Sequence, residues 1–472
     1  MPVERRERRK VDVFENSPAQ KKTGASAPIS HGIPRAPQTG EVRVRWAWAE
    51  AEVWTERMLA ALEEGVKGGK WFRLFDKVFA LSNLRAAFAR VKANRGAAGV
   101  DRQTVAMFEH NLEANLENLS RDLHDGTYRP KAVRRVWIPK AGKKELRPLG
   151  IPAVRDRIVQ TALRSVLEPI FERNFARHSY GFRPNRSCKD ALRRVTELMK
   201  AGHTWVVDAD IKGYFDTIPH QRMMERMRTQ VADGPVLRLV EAFLKQGVQD
   251  TAGEEQYPEA GTPQGGVISP LLSNVYLDPL DHEMVRSGYE MVRYADDFVI
   301  LCRSEHEARE ALEQVQRWTA ENGLTLHHEK TRIVQVMPDW EKKNPGDGFD
   351  FLGYCFWRDK RWPSDKSVGK LKEAVRDKTR RQNGHSLREI IAELNRTLRG
   401  WYEYFKHGWR WRLKTLDGWV RQRLRSILRR RAKRRGMSRG RENATIPNAF
   451  FTAEGLLSMF EAIIAERQSL AR

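Results

Sequence analysis

The chain has 472 residues, enough for about three domains that each bury a core, which excludes a small disulfide-stapled scaffold. Lysine and arginine number 85 against 61 acidic residues, and the resulting net charge of +24 points to a polyanionic partner. Cys188, Cys302 and Cys355 are far apart and form no CxxC pair, and no apolar run reaches the length of a membrane span, so a reducing, cytoplasmic setting is expected.

Residues 1–45 mix charge with Pro, Gly and Ser and show hardly any apolar periodicity, so a disordered, mobile basic leader is expected there. Beyond it Trp54, Met58, Leu59 and Leu62 recur at intervals of three and four, a Gly-Gly break follows, and a second such run begins. A helical region over 46–125 is predicted. Its "GVKGGKW" has a faint likeness to a phosphate loop, but Trp71 stands where Ser or Thr is needed and no strand precedes it. The stretch "AVRRVWIPKAGKKELRPLGI" at 132–151 reads as two short strands about a glycine-containing turn, a basic hairpin carrying Lys140, Lys143, Lys144 and Arg147.

In "WVVDADIKGYFDTIPH", from Trp205 to His220, an apolar strand is interrupted by Asp208 and Asp210. A carboxylate inside such a strand is costly unless it is paired or bound to a metal. "EAGTPQGGVISPLLSNVYLDPLD" joins a Gly/Pro-rich loop to a helix whose first turn holds Ser269 and Pro270. Next, "MVRYADDFVILC" alternates, turns at Ala295-Asp296 and resumes as Phe298-Val299-Ile300-Leu301, a β-hairpin with Asp296 and Asp297 at its turn. By itself an Asp-Asp pair in a chain this long is ordinary coincidence. His327 and His328 lack cysteine partners, which argues against zinc.

After Gly353 the sequence is predicted to be helical and rich in Arg and Trp. Residues 366–441 hold 25 Lys and Arg against six Asp and Glu, a net +19 out of +24. There "GWYEYFKHGWRWRLK" interleaves rings with cations, a pattern suited to stacking on nucleotides and contacting phosphates, with about half of the rings expected in the core.

Joining a nucleotide to a 3′-hydroxyl needs an activated oxygen and a stabilised pyrophosphate. Two Mg²⁺ ions about 3.5–4 Å apart, held by carboxylates on adjacent strands, supply both. A strand bearing Asp210 beside a hairpin bearing Asp296 and Asp297 offers that arrangement. In order, "DADIKGYFDTI", "GTPQGGVISPLLSNVYLDPLD", "RYADDFVIL", "GLTLHHEKT" and "FDFLGY" resemble the blocks of reverse transcriptases. With "NRGAAGVD", "YRPKAVRRVWIPK", "RPLGIPAVRDRIVQTAL" and "SYGFRPNRS" before them and "LRGWYEYFKHG" after, the chain is similar to a bacterial group II intron-encoded reverse transcriptase and maturase over roughly residues 54–472.

That resemblance implies an α+β right-hand polymerase. Its parts would be a helical N-terminal extension (46–125), fingers (126–205), a palm on an antiparallel sheet (206–355), and a basic helical thumb continuing into a maturase region (356–472). It implies Asp210 and Asp296 as metal ligands, with Asp297 a less direct third carboxylate. Period two leaves Asp208 on the same strand face, and only the family frame favours Asp210. Phe215 matches the ring that excludes a nucleotide 2′-hydroxyl. Lys140 and Arg147 match residues that bind the triphosphate, and because the connection is longer than the family form, Lys143 or Lys144 is an alternative to Lys140. Gln264 and Gly265 match positions beside the nucleotide and template, and Lys330 matches a lysine that protonates the pyrophosphate. Phe351, Leu352 and Gly353 match the turn that grips the primer end.

RNA contacts are expected from Arg399, Trp401, Tyr402 and Lys406 and from the cluster Arg429, Arg430, Arg431, Lys433, Arg434 and Arg435. The implied cofactor is two Mg²⁺ ions, with Mn²⁺ as a substitute. The implied partners are a group II intron RNA, a DNA target and primer, and dNTPs, with no membrane. The setting would be bacterial cytoplasm, nucleoid-associated when on DNA. The implied function is to bind the intron RNA, promote its splicing and reverse transcribe it during retrohoming. The HNH endonuclease of some relatives is not expected. Two other readings are a splicing-only RNA-binding maturase and a non-intron bacterial reverse transcriptase of retron, diversity-generating or CRISPR-associated type. Intact Asp210, Asp296 and Asp297 argue against the first; "LRGWYEYFKHG" and the long segment before Lys140 argue against the second.

Overall fold

The computed structural model describes residues 39–66, 68–139, 146–336, 348–358, 360–434 and 444–470. Six helices come first: α1 (Thr39–Arg45), α2 (Glu56–Glu64), α3 (Phe75–Phe79), α4 (Leu81–Ala93), α5 (Val105–His110) and α6 (Leu112–His124). α1 falls within the stretch read as a mobile leader. Val42 and Trp46 are buried, and Trp46 Nε1 donates to Glu63 of α2 at 2.8 Å, so helical packing reaches back into 39–45. Two apolar residues four apart are one turn of a helix face, too short a run to register as periodicity.

The basic hairpin forms as expected from β1 (Val133–Pro139) and β2 (Leu146–Ile151), with Arg134 opposite Ile151 and Pro139 opposite Leu146. Two long helices, α7 (Val154–Glu172) and α8 (Cys188–Lys200), lead to β3 (Trp205–Asp210). Then follow α9 (Tyr214–Thr217), α10 (His220–Gln230), α11 (Gly234–Leu244), β4 (Val248–Gln249), β5 (Glu255–Gln256) and α12 (Ser269–Arg286). β6 (Glu290–Tyr294) and β7 (Asp297–Cys302) form the second hairpin, followed by α13 (Glu305–Glu321), β8 (Arg332–Gln335), β9 (Phe349–Phe351), β10 (Tyr354–Trp357) and β11 (Lys360–Pro363). The chain continues through α14 (Asp365–Lys378), α15 (Leu387–Phe405), α16 (Trp411–Arg431), α17 (Asn448–Ala453) and α18 (Met459–Leu470).

The strands make three sheets, ordered β2-β1-β4-β5, β6-β7-β3-β8 and β11-β10-β9, antiparallel except where β1 meets β4. Two sequence-based boundaries need correction. β4 and β5 lie within 206–355 yet extend the sheet of the first hairpin; strands of two residues carry too little alternation to be seen in sequence. Residues 354–357 and 360–363, read as helical, are strands: Tyr354 and Phe356 are buried β-formers on one face at period two, and Trp362 is buried on the other face with Cys355.

The central sheet positions the site. Val207, Ala209, Phe298, Ile300 and Cys302 face one way, into the large core with Leu272 and Tyr276 of α12 and Ala308 and Val315 of α13. Val206, Val292, Val299 and Leu301 face the other way, against Leu192 and Val195 of α8 and Phe349 and Phe351 of β9. Strand periodicity puts Asp208, Asp210 and Asp297 on this second face, at the end of the sheet that the apolar residues leave uncovered. The C-terminal helices have their own core, including Leu371, Leu394, Leu398, Leu424 and Phe451.

Candidate active site

β3 and β7 are the two inner strands, and their register sets Asp210 opposite Asp297. Asp296 occupies the turn between β6 and β7 beside Ala295, whose φ of 60° lets the chain reverse within two residues. Burial lifts the proton affinity of the Asp297 carboxyl to a pKa of about 7, reinforced by the negative charges of Asp208, Asp296 and Asp210. Asp208 rises to about 6, again mainly through burial, while Arg332 pulls it back. Asp296 is raised by burial as well. Crowded carboxylates with this much mutual repulsion are a hard-oxygen donor set, which suits a divalent cation.

Two of the cations nearby are already engaged. Lys330 Nζ is ion-paired with Asp210, and Arg332 Nε contacts Asp208 at 3.4 Å. Asp210 and Asp208 thus differ in partner, a distinction that strand periodicity leaves open. Among the described residues no three His, Cys, Asp or Glu side chains stand close enough to cage a metal by themselves. Polymerase metals keep waters and substrate phosphates as ligands, so a few carboxylates suffice.

Asp210 and Asp296 open onto a cleft of about 560 Å³, lined also by Arg147, Phe182, Phe215, Asp216, Gln264, Gly265 and Lys330. Backbone bonds fix its walls: Thr262 N donates to Phe215 O at 2.7 Å, and Gly150 N donates to Gln264 O at 2.6 Å. A side chain at Gly265 would strike Gly150 O, its Cβ 2.3 Å away, and its φ of 112° is one that glycine adopts freely. His327 N donates to Asp210 O at 2.7 Å, seating the segment that carries Lys330 against the end of β3. Leu352 and Gly353 turn in the left-handed region between β9 and β10, and the Leu352 backbone N–H stabilises the Asp297 carboxylate. Lys140, Lys143 and Lys144 lie outside the described residues.

Sequence reasoning missed what supports the turn. Arg293 is fully buried and is clamped by Asp281 through Nε at 2.7 Å and through Nη2. Its Nη1 donates to Ala295 O at 2.8 Å and to Asn274 Oδ1 at 3.0 Å. Asn274 Nδ2 in turn donates to Gly181 O at 2.8 Å. Asp216 was also passed over, though it accepts from Gln264 Nε2 at 3.4 Å; the only signal was an acidic residue next to Phe215. A charged residue inside an apolar strand, as Arg293 is, was the signal for the clamp.

The family described as "Reverse transcriptase (RNA-dependent DNA polymerase)" matches residues 138–356, and "Group II intron, maturase-specific domain" matches residues 368–444. Protein YkfC of Escherichia coli (strain K12) is 37% identical over 295 residues, covering 54% of this chain and 74% of that protein. Group II intron-encoded protein LtrA of Lactococcus lactis subsp. cremoris is 34% identical over 262 residues, covering 55% of this chain and 42% of LtrA. The chain belongs to the group II intron-encoded reverse transcriptases and maturases. The match thus spans less than half of LtrA's length. Among solved structures, a partial Cas6-RT-Cas1--Cas2 complex is 25% identical, covering 52% of this chain and 41% of that chain, with a TM-score of 0.34, too low to decide anything about this protein.

A reverse transcriptase domain implies a polymerase that depends on a divalent metal, and a maturase domain implies binding of nucleic acid. No helix among the described residues is long and apolar enough to cross a membrane. Within the maturase region the candidate RNA contacts divide. Arg399, Arg430, Lys433 and Arg434 are exposed. Arg429 is half-buried, and Arg435 lies outside the described residues. Arg431 Nη2 donates to Asn383 O and His385 O, which ties down the start of α15. Two candidates need correction. Tyr402 is buried with its hydroxyl on Glu466, so its face is not open for stacking. Lys406 is held by Glu403 and Glu466 at 3.0 and 2.6 Å, which neutralises it. Trp401 stacks on Phe405 with centroids 4.5 Å apart and is half-buried, whereas Trp409 and Trp411 stand exposed.

Proposed function

We propose that this protein binds a group II intron RNA, promotes its splicing and copies it into DNA during retrohoming. The observation that carries the reading is the pairing of Asp210 with Asp297 at the adjoining ends of two strands, with Asp296 in the turn beside them, and a cleft lined by Asp210, Asp296, Arg147, Phe215 and Gln264. In this reading the sheet β6-β7-β3-β8 is the palm of a right-hand polymerase. The β1–β2 sheet belongs to the fingers, residues 46–125 are the N-terminal extension, and the helices after residue 356 are thumb and maturase region.

Asp210 and Asp296 would hold the metal, with Asp297 as a supporting carboxylate. The chemistry supplied by two bound Mg²⁺ ions, or Mn²⁺ in their place, is activation of the primer 3′-hydroxyl and neutralisation of the departing pyrophosphate. The planar fork of Arg147 suits the triphosphate of an incoming dNTP. Phe215 closes the space a 2′-hydroxyl would need, and Gln264 and Gly265 flank the base pair being formed. Lys330 leaves Asp210 and carries a proton to the pyrophosphate, the role of a general acid. Leu352 and Gly353 support the primer end, with Phe351 buried in the core behind the turn. Arg399, Arg429, Arg430, Lys433 and Arg434 contact RNA phosphates, and the maturase match favours an intron over other RNA partners.

The test is Asp296→Ala. We expect it to abolish primer extension on an RNA template, while a filter-binding measurement with intron RNA stays within about twofold of wild type, since the change removes none of the cations that dominate affinity. Extension at the wild-type level would overturn the metal assignment.

A further inference from the structure

We infer that Phe182 is a specificity-determining residue of the nucleotide pocket, a positioning residue that acts through Phe215; the inference rests on the reading of Phe215 as the ring that meets the nucleotide sugar. Two observations single Phe182 out. Its ring is 41% exposed and lines the cleft that holds Asp210, Asp296 and Phe215. Its backbone has a φ of 59°, a region that a bulky side chain enters only at a cost and that clusters at functional sites. An exposed aromatic ring gains little from burial, so the strain is not offset by core packing.

The loop that carries Phe182 is rigidly fastened. Tyr180 N donates to Arg293 O at 2.8 Å, and Asn274 holds Gly181 O. Gly181 packs so tightly on the carboxylate turn that a Cβ there would sit 2.2 Å from Ala295 N. On the other side Arg183 donates to Ala176 O at 2.6 Å and Ser179 O at 2.9 Å, and pairs with Glu172 at 2.8 Å. The ring is therefore presented by a scaffold anchored to the same turn as Asp296.

What the ring meets is Phe215. The two centroids are 6.5 Å apart at 74°, edge to face, and Tyr214 contacts Phe215 with centroids 5.5 Å apart at 68°. Phe215 thus touches both a buried tyrosine and an exposed phenylalanine. Without Phe182 its ring has room to rotate away from the sugar, and a 2′-hydroxyl then fits.

The test is single-nucleotide insertion of dGTP and GTP opposite a template cytidine, comparing kcat/KM for the two. Phe182→Gly removes the ring and suits the left-handed backbone, so folding is preserved; Phe182→Tyr keeps the ring. An edge-to-face pair is worth ~0.5–1.5 kcal/mol, so Phe182→Gly should raise the GTP:dGTP ratio about twofold to twelvefold. Phe182→Tyr should restore the wild-type ratio. Phe215→Ala should raise the ratio further, and adding Phe182→Gly to it should change nothing more. If Phe215→Ala shifts the ratio and Phe182→Gly does not, the inference about Phe182 is wrong while the reading of Phe215 stands. If Phe215→Ala leaves the ratio unmoved, both fall together.

Discussion

Arg293 explains how two adjacent carboxylates are made unequal. It lies three residues before Asp296 on β6 and delivers a guanidinium into the core, where Asp281 neutralises it and Ala295 O accepts a hydrogen bond from it. The turn is thereby fixed from beneath, so that Asp296 sits in the bend and Asp297 begins a strand. Replacing Arg293 by Met leaves Asp281 buried and unpaired, which should cost ~3–5 kcal/mol in urea unfolding. Pairing that change with Asp281→Leu should return much of the stability but not primer extension, because Ala295 O still lacks its donor. Full recovery of extension in the double variant would mean that the ion pair serves stability alone. Only the break in the apolar strand was visible in sequence, not what answers it. An arginine between Val292 and Tyr294 reads as an interruption, and its partner lies twelve residues away on a helix whose own polar residues carry no signal of direction.

Whole elements were easier to read where one period runs for five residues or more. The β6–β7 hairpin declared itself by alternation around a two-residue turn, and its register agrees with the pattern. α15 holds a lesson of the opposite kind. Ile391, Leu394, Leu398, Tyr402 and Phe405 are buried at steps of three and four, so helix periodicity already assigns Tyr402 to the core, against the appeal of an aromatic ring among cations. α7 carries a different burden. Asp156 in its first turn is fully buried, accepting from Tyr128 Oη at 2.7 Å and Lys131 N at 3.0 Å, which stitches the helix to the approach to β1. Burial raises its pKa from 3.8 to about 6, outweighing those hydrogen bonds. Between those values the native state keeps a proton that the unfolded chain has released, so stability falls as pH rises from about 4 to about 6 and is level above, by ~3 kcal/mol in all. Asp156→Asn should remove that slope, read as the difference in urea-unfolding free energy between pH 4.5 and 7.5 for the two proteins, whatever the substitution costs at a single pH.

Across the molecule, charge is distributed more sharply than shape. Residues 366–441 hold +19 of the +24, yet Lys406 and Arg431 spend theirs on Glu403, Glu466 and two loop carbonyls, so the count overstates what is presented outward. Changing Arg430, Lys433 and Arg434 to Gln should weaken intron RNA binding and flatten the plot of log affinity against log salt by about two to three units. An unchanged slope would make the cluster a solvated helix end. The small sheet of β9, β10 and β11 has a further consequence. Residue 356, where the reverse transcriptase match ends, lies inside β10, with Phe356 stacked on Phe349 at 5.1 Å and Tyr354 against Phe405 at 5.0 Å. Tyr404 of α15 donates from its hydroxyl to Leu352 O, and Tyr354 donates back to Tyr404 O. A protease cut or a gene split at that point would leave an aromatic wound on both halves and loosen the turn that touches Asp297. The copying part and the RNA-holding part therefore share one packed aromatic seam between this sheet and α15.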